Sequence, residues 1–191
     1  MNIIITVSGP PASGKSTYAK IISQELGLRL FSTGTAFREI AKKLNINLEE
    51  FHALAEKNYE YDIMVDKMAL EEAKKGNIVV EGHLACWLLK YIANIKIYVT
   101  APSNERIKRL MEREGKSFEE AKKEILAREK SNKKRYMEIY GINIDDLSPI
   151  DIMINTALFG IEDVAKILIF IIKSYLSKKN ATIGNIRKGL C

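Results

Sequence analysis

Cysteine is scarce: Cys86 in mid-chain and Cys191 at the last position are the two in 191 residues. Neither number nor spacing makes a disulfide framework or a zinc site, so a reducing compartment, the cytoplasm, is expected. Four prolines and eleven glycines exclude a collagen-like chain and a Pro/Gly-rich disordered one. Long apolar stretches are missing too. The run Ile167–Ile172 falls far short of the ~18–20 residues that span a bilayer, and neither a signal peptide nor a membrane anchor is expected. No internal repeat or low-complexity tract is visible.

What is present describes an ordinary globular protein, with 47% hydrophobic and 28% charged residues. Its length suits one domain with small mobile inserts. Lysine and arginine total 30 against 24 acids, a formal +6 that favours anionic partners: nucleotides, nucleic acid or acidic lipid. Charge alone does not choose among them.

Strand-like and helix-like segments alternate, which predicts an α/β fold with a mostly parallel sheet. Ile3–Val7, Leu28–Ser32, Ile78–Glu81, Ile95–Thr100 and Ile150–Asn155 are the five candidate strands. A helix is predicted over Lys15–Leu26, stopped by Gly27. Helical stretches over Ala36–Leu44, Leu48–Glu56 and Asp62–Lys75 lie between two strands and look inserted. Ser117-Phe118-Glu119-Glu120 has the S-x-x-E capping pattern and predicts a helix running towards Tyr136. Glu162–Leu176, apolar nearly all round, predicts a mostly buried helix.

The strongest local signal is Gly9-Pro10-Pro11-Ala12-Ser13-Gly14-Lys15-Ser16, a complete G-x-x-x-x-G-K-S/T pattern between a buried strand and a helix. Glycines let the chain curl round a polyphosphate, and the helix offers its positive end. Pro10 and Pro11 lack an N–H, so the donors must be Ala12, Ser13, Gly14, Lys15 and Ser16. Lys15 brings a mobile charge to the β- and γ-phosphates, and Ser16 offers a hydroxyl to Mg²⁺. The sequence has no guanine-reading Asn/Thr-Lys-x-Asp loop, as a GTPase would. Nor does it have a second strand ending in Asp or Asp-Glu, as a motor ATPase would: Ile78-Val79-Val80-Glu81-Gly82 ends in one Glu.

Beyond this loop, the chain carries Ser32-Thr33-Gly34-Thr35-Ala36-Phe37-Arg38, Glu81-Gly82-His83-Leu84-Ala85, the basic stretch Arg128–Arg135, and Tyr136-Met137-Glu138-Ile139-Tyr140-Gly141-Ile142. Together these blocks resemble the nucleoside-monophosphate kinases, and within them the archaeal-type cytidylate kinases, over about residues 3–175. The resemblance implies a P-loop three-layer sandwich with a five-stranded parallel sheet, a helical monophosphate-binding region at about 33–76 and a mobile lid at about 128–140. These belong to one kinase domain over 1–180, with 181–191 expected to be disordered or loosely docked. The implied reaction is ATP + CMP (or dCMP) ⇌ ADP + CDP with Mg²⁺, carried out by a monomer.

Residue by residue, the resemblance assigns ATP to Gly9–Ser16 and Thr17, and the acceptor phosphate to Ser32, Gly34, Arg38, Gly82 and His83. Ser16 and, through water, Glu81 serve the magnesium. Lys15, Arg128 and Arg135 are the expected catalytic residues. His83 stands where similar kinases place Arg, and Asn132 where they often have an acid. Asp62 and Asp66, four apart, fall in a region that helps read the base in the family, although the residues alone suit a solvated face. Arg128 and Arg135 are seven apart and share a side of their helix. Lys130, Lys133 and Lys134 suit a solvated surface. The alternatives are a kinase for another monophosphate such as AMP or UMP, or a nucleic-acid-associated P-loop ATPase, for which the same basic stripe would track a backbone.

Overall fold

The computed structural model describes the backbone of residues 2–188 and the side chains of 2–47 and 50–179. The elements in chain order are β1 Ile4–Ser8, α1 Lys15–Leu26, β2 Arg29–Ser32, α2 Thr33–Lys43, α3 Leu48–Lys57, α4 Glu60–Lys74 and β3 Ile78–Glu81. They continue with α5 Ala85–Leu88, β4 Ile95–Thr100, α6 Ser103–Glu114, α7 Phe118–Tyr140, β5 Ile152–Asn155 and α8 Ile161–Lys188. The strands form one five-stranded parallel sheet in the order β2-β3-β1-β4-β5. Both faces are covered, as parallel sheets require. On one face α1 and α8 bury Tyr18, Ile22, Val164 and Leu168 against Ile5, Val7, Val79 and Ile97. On the other, α4, α5 and the residue that follows α5 bury Ala69, Ala73, Ala85 and Leu89 against Ile4, Ile78 and Val80. The carboxyl ends of β1, β2 and β3 therefore open onto one edge, where ligands gather in such sheets.

The expected three-layer α/β architecture is present, and several boundaries fall where the residues predict them. Gly27 closes α1 at φ 61, and Ser117 opens α7 with a complete capping box to Glu120. The helices α2 to α4 are inserted between β2 and β3.

Two expectations need correction. α8 is not wrapped by the core: Val164, Leu168 and Ile172 are buried, but Phe170 is 72% exposed and Ile161 is exposed as well. A sheet face can cover only one side of a helix, so an all-round apolar sequence leaves part of itself uncovered. The helix also passes its expected end at Leu176 and extends to Lys188, through residues that include no proline and no glycine before Gly184. The expected tail over 181–191 lies outside the residues whose side chains are described, and from 189 outside the described chain altogether. Two helices have no counterpart in the sequence reading, the short α5 and the full-length α6. No helix among the described residues is long and apolar enough to cross a membrane.

Candidate active site

β1 delivers the chain into the glycine loop at the sheet edge. Gly9 has φ 153, and a Cβ there would stand 2.0 Å from the Val99 carbonyl oxygen, so the close passage of the loop over β4 admits only glycine. Ala12 takes the left-handed region at φ 58 without being glycine, local strain of the kind held at functional loops. The loop is braced from inside by Ser13 N–H donating to the Pro10 carbonyl at 3.3 Å. Gly14 then caps α1 without any side-chain hydrogen bond. The first-turn amides of that helix have no intrahelical acceptor, which leaves them for an anion.

Lys15 differs from the expected mobile cation. Its side chain is buried and Nζ donates to the Pro10 carbonyl at 2.8 Å. Burial pulls its pKa down to about 7, with Arg128, Arg106 and Arg113 adding to the fall and Glu81 opposing it. A polyphosphate beside Nζ would restore the charge.

Ser16 Oγ donates to Glu81 Oε1 at 3.0 Å, and Ser32 Oγ donates to Glu81 Oε2 at 2.5 Å. Glu81 is buried at the end of β3 and so ties the start of α1 to the start of α2. The Ser32 oxygen also caps α2 by accepting from Thr35 N–H. Ser16 and Glu81 are a pair of oxygen donors of the kind Mg²⁺ takes. Among the described residues no group of three or more His, Cys, Asp or Glu could hold a metal. An ion here would therefore rely on phosphate and water for its remaining ligands.

Around this centre a cleft is lined by Lys15, Ser16, Arg38, His83, Arg113 and Arg128, with Gly34 and Gly82 giving it room. A Cβ on Gly82 would stand 2.2 Å from Thr33 Oγ1. A second cleft continues past Gly34, Arg38 and His83 to Phe37, His52, Asp62, Asp66, Arg128 and Arg135. The structure thus brings the expected site residues to one sheet edge and separates two of them: Arg128 borders both clefts, Arg135 only the second.

The second cleft holds the main correction. Asp62 and Asp66 are not solvated; both are buried. Asp62 Oδ2 pairs with Arg135 Nη1 at 3.3 Å, and Arg135, 3% exposed, also donates to Asn132 Oδ1 at 2.9 Å. Asn132 thus positions Arg135 without supplying a charge. Arg135 Nε and Nη1 and Asp62 Oδ2 have no hydrogen-bond partner. Burial raises the Asp62 carboxyl, with Arg135 opposing. Asp66 accepts from Tyr140 Oη at 2.7 Å, and burial pushes its pKa up to about 7 despite that bond, Asp62 adding to the rise. His83 and His52 are held neutral, His52 at about 4, first by burial and then by nearby Lys15 or arginines, with the Gly9 backbone opposing the fall at His83.

Asp66 gives a testable pH dependence. Its folded pKa lies above the ordinary carboxylate value, so the folded state holds the proton more tightly, and stability is lost as pH rises through about 7. Asp66→Asn removes the penalty. Its Tm relative to the parent should climb between pH 5 and pH 8, followed by thermal unfolding in a pH series; a difference independent of pH would contradict the assignment.

Three arginines on α6 were missed. Arg113 lines the phosphate cleft. Arg109 donates to Thr156 Oγ1 at 2.8 Å and Thr156 O at 3.0 Å, and Thr156 Oγ1 lies 3.0 Å from the Ser13 carbonyl, so α6 braces the glycine loop from behind. Arg106 reaches the Pro11 carbonyl. A readable signal existed: Ile107, Leu110 and Met111 at helical spacing before Gly115.

A glycine loop at the centre of a five-stranded parallel sheet, ringed by cations and faced by a helical insert, defines a P-loop kinase. The sequence profile of the cytidylate kinase-like family matches residues 4–158. A cytidylate kinase from Staphylothermus marinus is 44% identical over 176 residues, covering 92% of this chain and 99% of that protein. One from Pyrobaculum islandicum is 46% identical over 165 residues, 86% of this chain and 90% of the other. Among solved structures, shikimate kinase from Bacteroides thetaiotaomicron superimposes with a TM-score of 0.62 at 14% identity over 91% of this chain and 99% of that one, a likeness of fold. The chain belongs to the cytidylate kinase-like family and is a phosphotransferase of the nucleoside-monophosphate kinase class.

Proposed function

We propose that the enzyme transfers the γ-phosphoryl group of ATP to CMP, and to dCMP, with Mg²⁺, as a monomer in the cytoplasm. The observation that carries the choice of base is the buried Asp62–Arg135 pair with unused hydrogen-bonding atoms on both partners, facing the second cleft. Cytosine presents an amino donor beside two acceptors on one edge, which suits a carboxylate oxygen next to guanidinium N–H groups. Uracil would set its O4 lone pairs against the carboxylate, and adenine lacks the second acceptor. The names of the relatives agree with this reading.

The acceptor phosphate is anionic and needs no general base, so catalysis consists of in-line placement and charge neutralisation. The glycine-loop amides and Lys15 hold the donor's β- and γ-phosphates, while Ser16, with Glu81 through water, holds the magnesium. When bound, that ion neutralises charge on the transferring group. Ser32, Gly34, Arg38 and Gly82 receive the acceptor phosphate. His83 joins them as a neutral hydrogen-bonding group, not as the charge that arginine would supply. Arg128, shared by both clefts, stands where charge is exchanged; Arg135 acts on the acceptor nucleoside.

Coupled ADP release measured against CMP, dCMP, UMP and AMP, with and without nucleic acid, tests the reading. CMP should give the highest kcat/KM, with UMP about 10²-fold lower. ATP hydrolysis stimulated by nucleic acid and indifferent to CMP would overturn it.

A further inference from the structure

We propose that Arg106 is a positioning residue that couples the seating of the phosphate loop to the pose of helix α7, acting through Glu129. Arg106 lies in the first turn of α6 and is only 8% exposed. Its Nε donates to the Ala101 carbonyl at 3.0 Å, and its Nη1 donates both to the Pro11 carbonyl at 3.3 Å and to Glu129 Oε1 at 2.5 Å. One buried guanidinium therefore joins the end of β4, the phosphate loop and α7. No direct hydrogen bond or ion pair joins α7 to the phosphate loop among the described residues, so Arg106 is their shared partner.

Charge makes this joint directional. A guanidinium keeps its proton in proteins, so a buried one is costly unless a counter-charge stays beside it. Two carbonyls satisfy hydrogen bonds but leave the charge unneutralised; Glu129 is the acid that neutralises it. Arg106 thus rewards the pose of α7 that places Glu129 against the loop. Arg128 and Glu129 are consecutive, about 100° apart round the helix. Arg128 borders the phosphate cleft, whereas Glu129 borders an adjoining cavity of about 510 Å³ that shares Pro11 and His83 with it and is walled by Pro10, Trp87 and Tyr98. The two consecutive residues of α7 thus face two adjoining cavities that meet at Pro11 of the loop. Fixing Glu129 therefore fixes where Arg128 stands, and an anion that settles the loop settles Arg128 with it.

Trp87, the single tryptophan, lines that cavity and reports on it when ATP is added without CMP. The test titrates ATP with Mg²⁺ into the full-length protein, Glu129→Gln, Arg106→Gln and the double variant while following Trp87 emission, and measures kcat and KM for CMP in the same samples. Glu129→Gln keeps size and hydrogen bonding at a side chain that is 34% exposed and is the milder of the two changes; thermal unfolding confirms that each variant is folded at the assay temperature. Each single variant is expected to weaken the ATP response about tenfold and to lower kcat about tenfold, with KM for CMP within about twofold. The double variant should be no worse than the poorer single, because the two residues act as one unit. ATP affinity and kcat unchanged in Glu129→Gln, losses that multiply in the double variant, or a parent protein whose emission ignores ATP would each overturn the coupling. This inference takes its CMP assay from the kinase reading. An ATP response that shows the expected non-additivity without CMP turnover would support the coupling and count against that reading alone.

Discussion

Lys15→Ala is expected to lower kcat about 10³-fold while the protein stays folded, the scale seen when a positioned charge or donor is removed from a charge-developing transition state. The activity loss follows from place: Lys15 opens α1 at the end of the glycine loop, with Nζ on the Pro10 carbonyl and the arginines of both clefts around it. The survival of the fold follows from its electrostatics. Its folded pKa of about 7 lies well below the ordinary lysine value of 10.5, because burial and the neighbouring cations oppose its charge. Between those two values the unfolded chain binds more protons than the folded one. The penalty is therefore complete below about pH 7 and fades as pH rises towards 10.5. Lys15→Ala should unfold at a higher Tm than the parent at pH 6, and the gain should shrink at pH 10. Thermal unfolding at the two pH values and steady-state kinetics check both halves. A Lys15→Ala enzyme of near-parental activity would remove Lys15 from the reaction.

Asp62→Ala should damage both stability and selection. Arg135 would remain buried with Asn132 as a hydrogen-bond partner but without the carboxylate it pairs with. Breaking one half of such a pair costs about 3 kcal/mol or more, read as a fall in ΔG of unfolding by denaturant titration. Under the proposed base reading, the same change deletes the acceptor for the cytosine amino group. The kcat/KM for CMP should fall about 10²-fold, and the preference over UMP should narrow, since the carboxylate that repels O4 is gone. Asp62→Asn separates the two effects: it keeps an acceptor and the shape, so activity should return further than stability. Unchanged preference between CMP and UMP in Asp62→Ala would remove this pair from base reading.

Local chemistry made much of the fold legible. The glycine loop, Gly27 and the Ser117 capping box each act within a few residues, and the Ile and Val side chains of β3 and β4 are buried, although β4 alternates them with partly exposed Lys96, Tyr98 and Thr100. Failures came where tertiary packing decides. α8 has apolar residues on every side, and only the sheet determines which of them are covered. Asp62 and Asp66 have the i, i+4 spacing of a solvated face, but α4 turns that face towards Arg135 and Tyr140, residues more than 70 positions away. α6 lay hidden because its charged residues outnumber its apolar ones, although the latter keep helical spacing. Its arginines are the part of the site that sequence alone did not supply. Lys15 closes the glycine loop at the start of α1, as its motif implies, but its burial and lowered pKa arise from neighbours contributed by β3, α6 and α7.

Phosphoryl transfer between two nucleotides is expected across the edge where β1, β2 and β3 end. Phosphorus NMR of the protein with ATP, Mg²⁺ and CMP tests it most directly, since donor, acceptor and products are resolved in one tube. ADP and CDP should appear in equal amounts, the reaction should reverse when the mixture is started from those products, and inorganic phosphate should stay negligible. Inorganic phosphate accumulating with ADP while the CMP signal stays constant would contradict it.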